Sequence, residues 1–204
     1  MILIYTPSSP FARKACIVAH EKELFERLEL VECSSYANLE QVQRVNPVGK
    51  IPALVLDDGT ALYDSSVICE YFDEIGSGPR LTPASGMPRM LALRGQALAD
   101  DMLAIALALT LEFRRPQSMQ HAPSVERARR QLRSAVAAIE EDLTQLPDTF
   151  SMTHISFACV LGYLDFRHED LAWRDAHPGL SAWFDELSQR RSIQATVPRN
   201  IVST

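Results

Sequence analysis

Apolar residues fall in short runs over the first third of the chain and recur at helical spacing over the rest. Ile2-Leu3-Ile4-Tyr5 reads as a buried strand ended by Thr6-Pro7. Ser9 then stands where an N-cap belongs, with Pro10 at the first helical position, where its missing N–H costs nothing. Phe11, Ala15, Val18 and Ala19 give that helix one apolar face. A weaker strand is expected near Leu28–Val31, and Ser34–Val45 carries only a faint helical signal. Ala53–Leu56 and Ala61–Tyr63 flank Asp57-Asp58-Gly59, a hairpin turn signal. Asp64-Ser65-Ser66 starts another helix, whose Ile68, Tyr71, Phe72 and Ile75 share one face, with Gly76 placed to end it. The order β-α-β-(α)-β-β-α predicts a small mixed sheet with helices.

Six glycines and prolines between Gly76 and Pro88 interrupt this pattern. The expected domains are 1–78, a linker over 79–88, and an all-helical part over 89–204. Met90–Phe113 is one long apolar helix, and Val125, Ala128, Leu132, Val136, Ile139 and Leu143 mark a second. Ile155–Phe166 is apolar almost all round, as at the centre of a bundle, and Leu180, Trp183, Phe184 and Leu187 mark a last amphipathic helix.

A formal charge of −6 argues against a nucleic-acid partner, which needs clustered Lys and Arg. Cys16, Cys33, Cys69 and Cys159 are scattered, as suits a reducing compartment, and Cys16 is expected in the core. His20, His121, His168 and His177 show no metal-ligand spacing, so no metal is expected. No apolar run reaches the length of a membrane span, and Met1–Tyr5 lacks the length and basic flank of a signal peptide. A cytoplasmic protein with no membrane partner is expected.

The candidate chemistry lies in Asn46-Pro47-Val48-Gly49-Lys50-Ile51-Pro52-Ala53-Leu54. Gly49 can turn the chain, and Pro52 can begin a strand but not sit within a central one. Ile51 is thereby held extended. If Ile51–Pro52 is cis, its N–H and C=O can face a peptide-like ligand docking as an extra strand. An ordinary loop entering a strand fits the same residues. The helix starts at Ser9 and at Asp64-Ser65 offer unpaired N–H groups and partial positive charge to an anion. Ser65 suits a carboxylate, Asp64 an ammonium, and Lys50 supplies a cation. Together they match an α-amino acid end joined to a peptide.

Four stretches resemble the cytosolic glutathione transferases: Ser8-Ser9-Pro10-Phe11-Ala12-Arg13-Lys14, the segment Asn46–Leu54, Leu62-Tyr63-Asp64-Ser65-Ser66-Val67-Ile68, and Leu161-Gly162-Tyr163-Leu164-Asp165-Phe166. The resemblance implies a thioredoxin-like α/β N-terminal domain and an all-α C-terminal bundle. It also implies a homodimer, with apolar candidates along the third and fourth helices. Glutathione would be the co-substrate and a small electrophile the acceptor, a detoxification chemistry. By that likeness Ile51 beside a cis Pro52 meets the cysteinyl backbone, and Asp64 and Ser65 hold the γ-glutamyl end. Lys50 meets the glycyl carboxylate, Phe11 borders the ligand, and Ser9 faces the thiol, with Ser8 in reserve. Ser9 is expected to donate a hydrogen bond to thiolate rather than act as nucleophile; a plain N-cap is the competing role. Met102, Phe113 and Arg114 are expected to border the acceptor, as are Leu109 and Arg115, the arginines favouring an anionic one; core packing and a solvated face fit these residues equally. A non-catalytic interaction protein, or a specialised lyase, isomerase or dehalogenase, fits the same motifs. One departure stands out: His154 occupies the place, three residues after Ser151, where the family usually has Asp as a reciprocal cap.

Overall fold

In the computed structural model, which describes residues 1–33 and 37–200, the run Ile2–Tyr5 forms β1 with Leu3 and Ile4 buried. β1 pairs in parallel with β2 (Glu29–Glu32) and antiparallel with β3 (Ala53–Val55), which pairs antiparallel with β4 (Ala61–Leu62). The sheet order is β2-β1-β3-β4. Helix α1 (Pro10–Glu21) packs against α3 (Ser65–Ile75), while α2 (Leu39–Gln43) is a short turn of helix between β2 and β3. Part of the expected 34–45 helix, residues 34–36, lies outside the described residues.

Gly76 does end α3, but not through a left-handed φ, since its φ is −86°. It is glycine because a Cβ there would lie 2.5 Å from the Lys22 Cβ and 2.7 Å from the Lys22 carbonyl oxygen. The breaker-rich stretch beyond is fixed rather than loose. Lys22 and Asp73, each about 1% exposed, form a buried ion pair at 3.3 Å. The Lys22 Nζ also donates to the carbonyls of Gly78 and Pro79, at 3.3 and 3.0 Å. Asp73 accepts from the main-chain N–H groups of Leu81 and Thr82, at 2.9 and 3.0 Å.

The chain divides into two compact units, Met1–Ala84 with the chain from Arg190 onward, and Ser85–Gln189. The break after Ala84 falls within the stretch 79–88 read as a linker, while the chain from Arg190 clusters with the first unit rather than with the helical part expected over 89–204. The returning segment is held by named contacts. Ile193, at 1% exposed, is buried in α9 (Arg191–Gln194), and Arg13 Nη2 donates to its carbonyl at 3.3 Å. Arg190 forks onto Glu21 at 3.2 and 2.7 Å, and Ser192 donates to the same carboxylate.

The second unit is built from α4 (Gly86–Phe113), α5 (Ala122–Asp142), α6 (Met152–Arg167), α7 (Trp173–Ala176) and α8 (Pro178–Leu187). Every residue of α6 from Met152 to Leu164 is buried, as its all-round apolar pattern predicts, and α4 packs against both α5 and α6. At its start Ser151 Oγ and His154 Nδ1 lie 2.8 Å apart, so the imidazole takes up the hydroxyl that a carboxylate would otherwise meet. Asp165 of the last family-like stretch accepts from Trp173 Nε1 at 2.8 Å and from the Arg174 guanidinium at 2.7 Å, tying α6 to α7. Among the described residues no helix is long and apolar enough to cross a membrane.

His168, fully buried at the end of α6, has Nε2 2.8 Å from the Ala106 carbonyl and 3.0 Å from Thr110 Oγ1. Its Nδ1 has no partner among the described residues, so a second proton would create an unpaired buried donor. Burial first, opposed by the Ala106 carbonyl and Asp170, holds its pKa below the usual 6.5. The folded state therefore binds fewer protons than the unfolded one, and stability is full above pH 6.5 and lost as pH falls towards and through the folded value. Urea midpoints at pH 7.5 and 5 are expected to drop more in the wild type than in His168→Gln, and equal drops would contradict this.

Candidate functional site

The register brings the predicted residues to one end of the sheet. Ile4 lies opposite Ala53, so the end at which β1 leads to Ser9 is the end at which β3 is entered from Ile51-Pro52. Leu54 lies opposite Leu62, so β4 leaves towards Asp64-Ser65 at that same end. Two helices begin there; α1 has no acidic side chain at its start to offset its N-terminal partial charge, whereas α3 carries the Asp64 carboxylate at its N-cap.

Ser9 is the N-cap of α1, and its Oγ accepts from the Ala12 N–H at 3.2 Å. That bond occupies a lone pair only, and the hydroxyl proton remains to be donated elsewhere. Capping and thiolate stabilisation are thus compatible in one side chain. Phe11 is half-buried in the first turn of the same helix, and Ser8 is half-buried beside it.

Ile51 is half-buried and lies outside the paired run of β3, with no described backbone partner for its N–H or C=O. Ile51–Pro52 is cis, and so is Tyr63–Asp64, which nothing in the sequence announced. Gly49 turns the chain at φ +71°, a conformation that favours glycine. Lys50 is exposed.

Asp64 caps α3, one carboxylate oxygen accepting from the Ser66 N–H at 2.9 Å while the residue stays exposed. Ser65 is 2% exposed, so a ligand can touch it at no more than an atom or two.

The residues expected to border the acceptor lie in the second unit and differ in accessibility. Met102 is 1% exposed and Leu109 3%, which leaves Met102 almost no surface for an acceptor. Phe113 is 37% exposed, with the Arg129 guanidinium 5.7 Å from its ring centre, and Arg114 is exposed at the end of α4. Leu109 and Arg115 join Ala108, Glu112, His121, Ser124 and Val125 around an open groove of about 350 Å³. Arg115 there donates to Glu112 at 3.1 Å, so much of its charge is already matched. The His121 N–H and then Arg115 hold the Glu112 carboxyl below the usual range. The roles of Glu112, His121 and Ser124 depend on how the α4–α5 connection folds back, which no local spacing reveals. Among the described residues no group of three His, Cys, Asp or Glu side chains is placed to hold a metal ion.

A mixed four-stranded sheet with helix starts at one end, followed by a helical unit, is the two-part architecture that the motifs imply. The family model for the glutathione S-transferase N-terminal domain matches residues 3–80, and that for the C-terminal domain matches residues 122–186. The chain belongs to the glutathione S-transferase family. It is similar to a crystal structure of a glutathione transferase family member from Pseudomonas fluorescens Pf-5 with bound glutathione. The two are 39% identical with a TM-score of 0.93, covering 98% of this chain and 99% of that one. It is 30% identical to the uncharacterized GST-like protein YibF of Escherichia coli, over 97% of this chain and 98% of that protein. A stringent starvation protein A homolog from Pasteurella multocida is 27% identical over 99% of this chain and 94% of its own length.

Proposed function

We propose that the protein binds glutathione along the open end of the first unit's sheet and joins its thiolate to a small, electrophilic, partly apolar acceptor. What supports this above all is the sheet register, under which Ser9, Ile51 and Asp64-Ser65 all stand at one end of the sheet. The Pseudomonas relative, with bound glutathione, adds to it. In this reading the Ile51 N–H and C=O pair with the cysteinyl backbone, Asp64 receives the γ-glutamyl ammonium, and Ser65 the carboxylate beside it. Phe11 borders the ligand and Lys50 faces the glycyl carboxylate. Ser9 donates a hydrogen bond from its hydroxyl to the sulfur, which favours the thiolate, and the thiol proton leaves to solvent. The thiolate then attacks the acceptor carbon. A C–S bond forms, and with an aryl halide the halide departs with its bonding electrons.

A homodimer in the cytoplasm completes the proposal. Val67 and Ile75 on α3, and separately Met87, Met90 and Leu91 on α4, are exposed apolar candidates for self-association. The likeness to the stringent starvation protein A homolog favours a second reading, a non-catalytic interaction protein on the same scaffold. Retention on immobilised glutathione, followed by conjugation of a generic aryl halide, separates the two. Retention with turnover supports the enzyme, and absence of both supports the interaction protein.

A further inference from the structure

Asn46 heads the loop that delivers Ile51, and its side chain is buried, at 4% exposed. Its Oδ1 accepts from the Val48 N–H at 3.1 Å, and its Nδ2 donates to the Lys50 carbonyl at 2.9 Å. Its own carbonyl accepts from the Gly49 N–H at 2.7 Å. One side chain thus closes the whole turn, and only one orientation of the amide meets both an N–H and a C=O.

The Lys50 carbonyl and the Ile51 N–H belong to one peptide plane. Lys50–Ile51 is trans, the cis bonds being Ile51–Pro52 and Tyr63–Asp64. Across a trans peptide the C=O and the N–H point in opposite directions. A carbonyl gripped from the buried side therefore turns its N–H to the open side. The geometry points to Asn46 as a positioning residue for backbone recognition: it aims the Ile51 N–H at a peptide ligand that Asn46 itself does not touch. The inference rests on the proposed glutathione site and adds the device that makes it select a peptide amide over a bare thiol.

Asn46→Asp tests this, because a carboxylate keeps the acceptor for Val48 but loses the donor for Lys50. With glutathione and an aryl halide, the glutathione Kd and KM are expected to rise about tenfold while kcat stays within about twofold, the loss expected of one aimed hydrogen bond. In amide exchange followed by NMR, saturating glutathione should protect the Ile51 N–H in the wild type and not in the variant, while Val48 stays protected in both. If Asn46→Asp fails to fold, Asn46→Ser serves the same purpose, since its short hydroxyl keeps the turn and cannot reach Lys50. Unchanged KM with full Ile51 protection in the variant would overturn the role of Asn46 alone. Loss of Val48 protection together with a fall in kcat would overturn it too, as general loosening of the loop. A wild type that binds no glutathione would instead remove the reading of the site on which the inference rests.

Discussion

Replacing Asp73 by alanine is expected to destabilise the first unit by about 3–5 kcal/mol, the usual cost of deleting one partner of a buried ion pair. The magnitude follows from what the substitution strands. Lys22 is 1% exposed, so its ammonium would remain out of water with, among the described residues, the carbonyls of Gly78 and Pro79 as partners. The N–H groups of Leu81 and Thr82 would lose their acceptors at the same time. Asp73→Asn should fall between wild type and alanine, since an amide oxygen can still accept one of those bonds. Urea unfolding at neutral pH measures the effect. A midpoint for Asp73→Ala equivalent to less than about 1 kcal/mol would show the pair to be worth no more than a surface bridge. Glutathione retention by the folded fraction should be unchanged, because the candidate contacts lie at the opposite end of α3.

Ser9→Ala is expected to slow conjugation at neutral pH by about ten- to a hundredfold and to raise the bound thiol's pKa towards that of a free thiol. A free thiol titrates near 8.5, and ionising most of it at neutral pH needs a fall of roughly two units, or about 2.7 kcal/mol. A hydrogen bond to a charged group supplies about 1.5–3 kcal/mol. A helix N-terminus adds about 0.3–1 kcal/mol, and α1 has no acidic residue in its first turn to cancel it. The alanine variant loses the first contribution and keeps the second. Its deficit should shrink above about pH 9, where the thiol ionises unaided. A purely capping role would instead cost about 1 kcal/mol of stability and leave the pH profile unmoved. Ser8→Ala is the control, expected to match the wild type. If Ser8→Ala moves the profile and Ser9→Ala does not, the two serines exchange roles.

Much of the fold was legible because its signals are local. Ile2–Tyr5, the Ser9-Pro10 start, the Asp57-Asp58-Gly59 turn and the buried run of α6 each decide their element within a few residues. The boundaries drifted where a helix extends past its apolar face: α4 begins at Gly86 and α5 at Ala122, several residues before the first periodic position. Long-range pairings were not legible. Gly76 was readable as the end of α3, but not its constraint, which is Lys22 passing close by. α9 has four residues, too few to show a period, and depends on Arg13 and Glu21 for its place. For the candidate site, Ser9, Ile51 and Asp64 were readable as chain-geometry signals, while Asn46 was not, since a polar loop residue shows its bonds only when the turn has closed on it.

The return of the chain at Arg190 has a consequence for biogenesis. α1 receives Ile193 and the Glu21 clamp only from residues that follow the entire helical unit in sequence. During synthesis the earlier-made half of the molecule therefore stays unfinished until the later-made half has left the ribosome, and a fragment cut after Ala84 would lack part of its own framework.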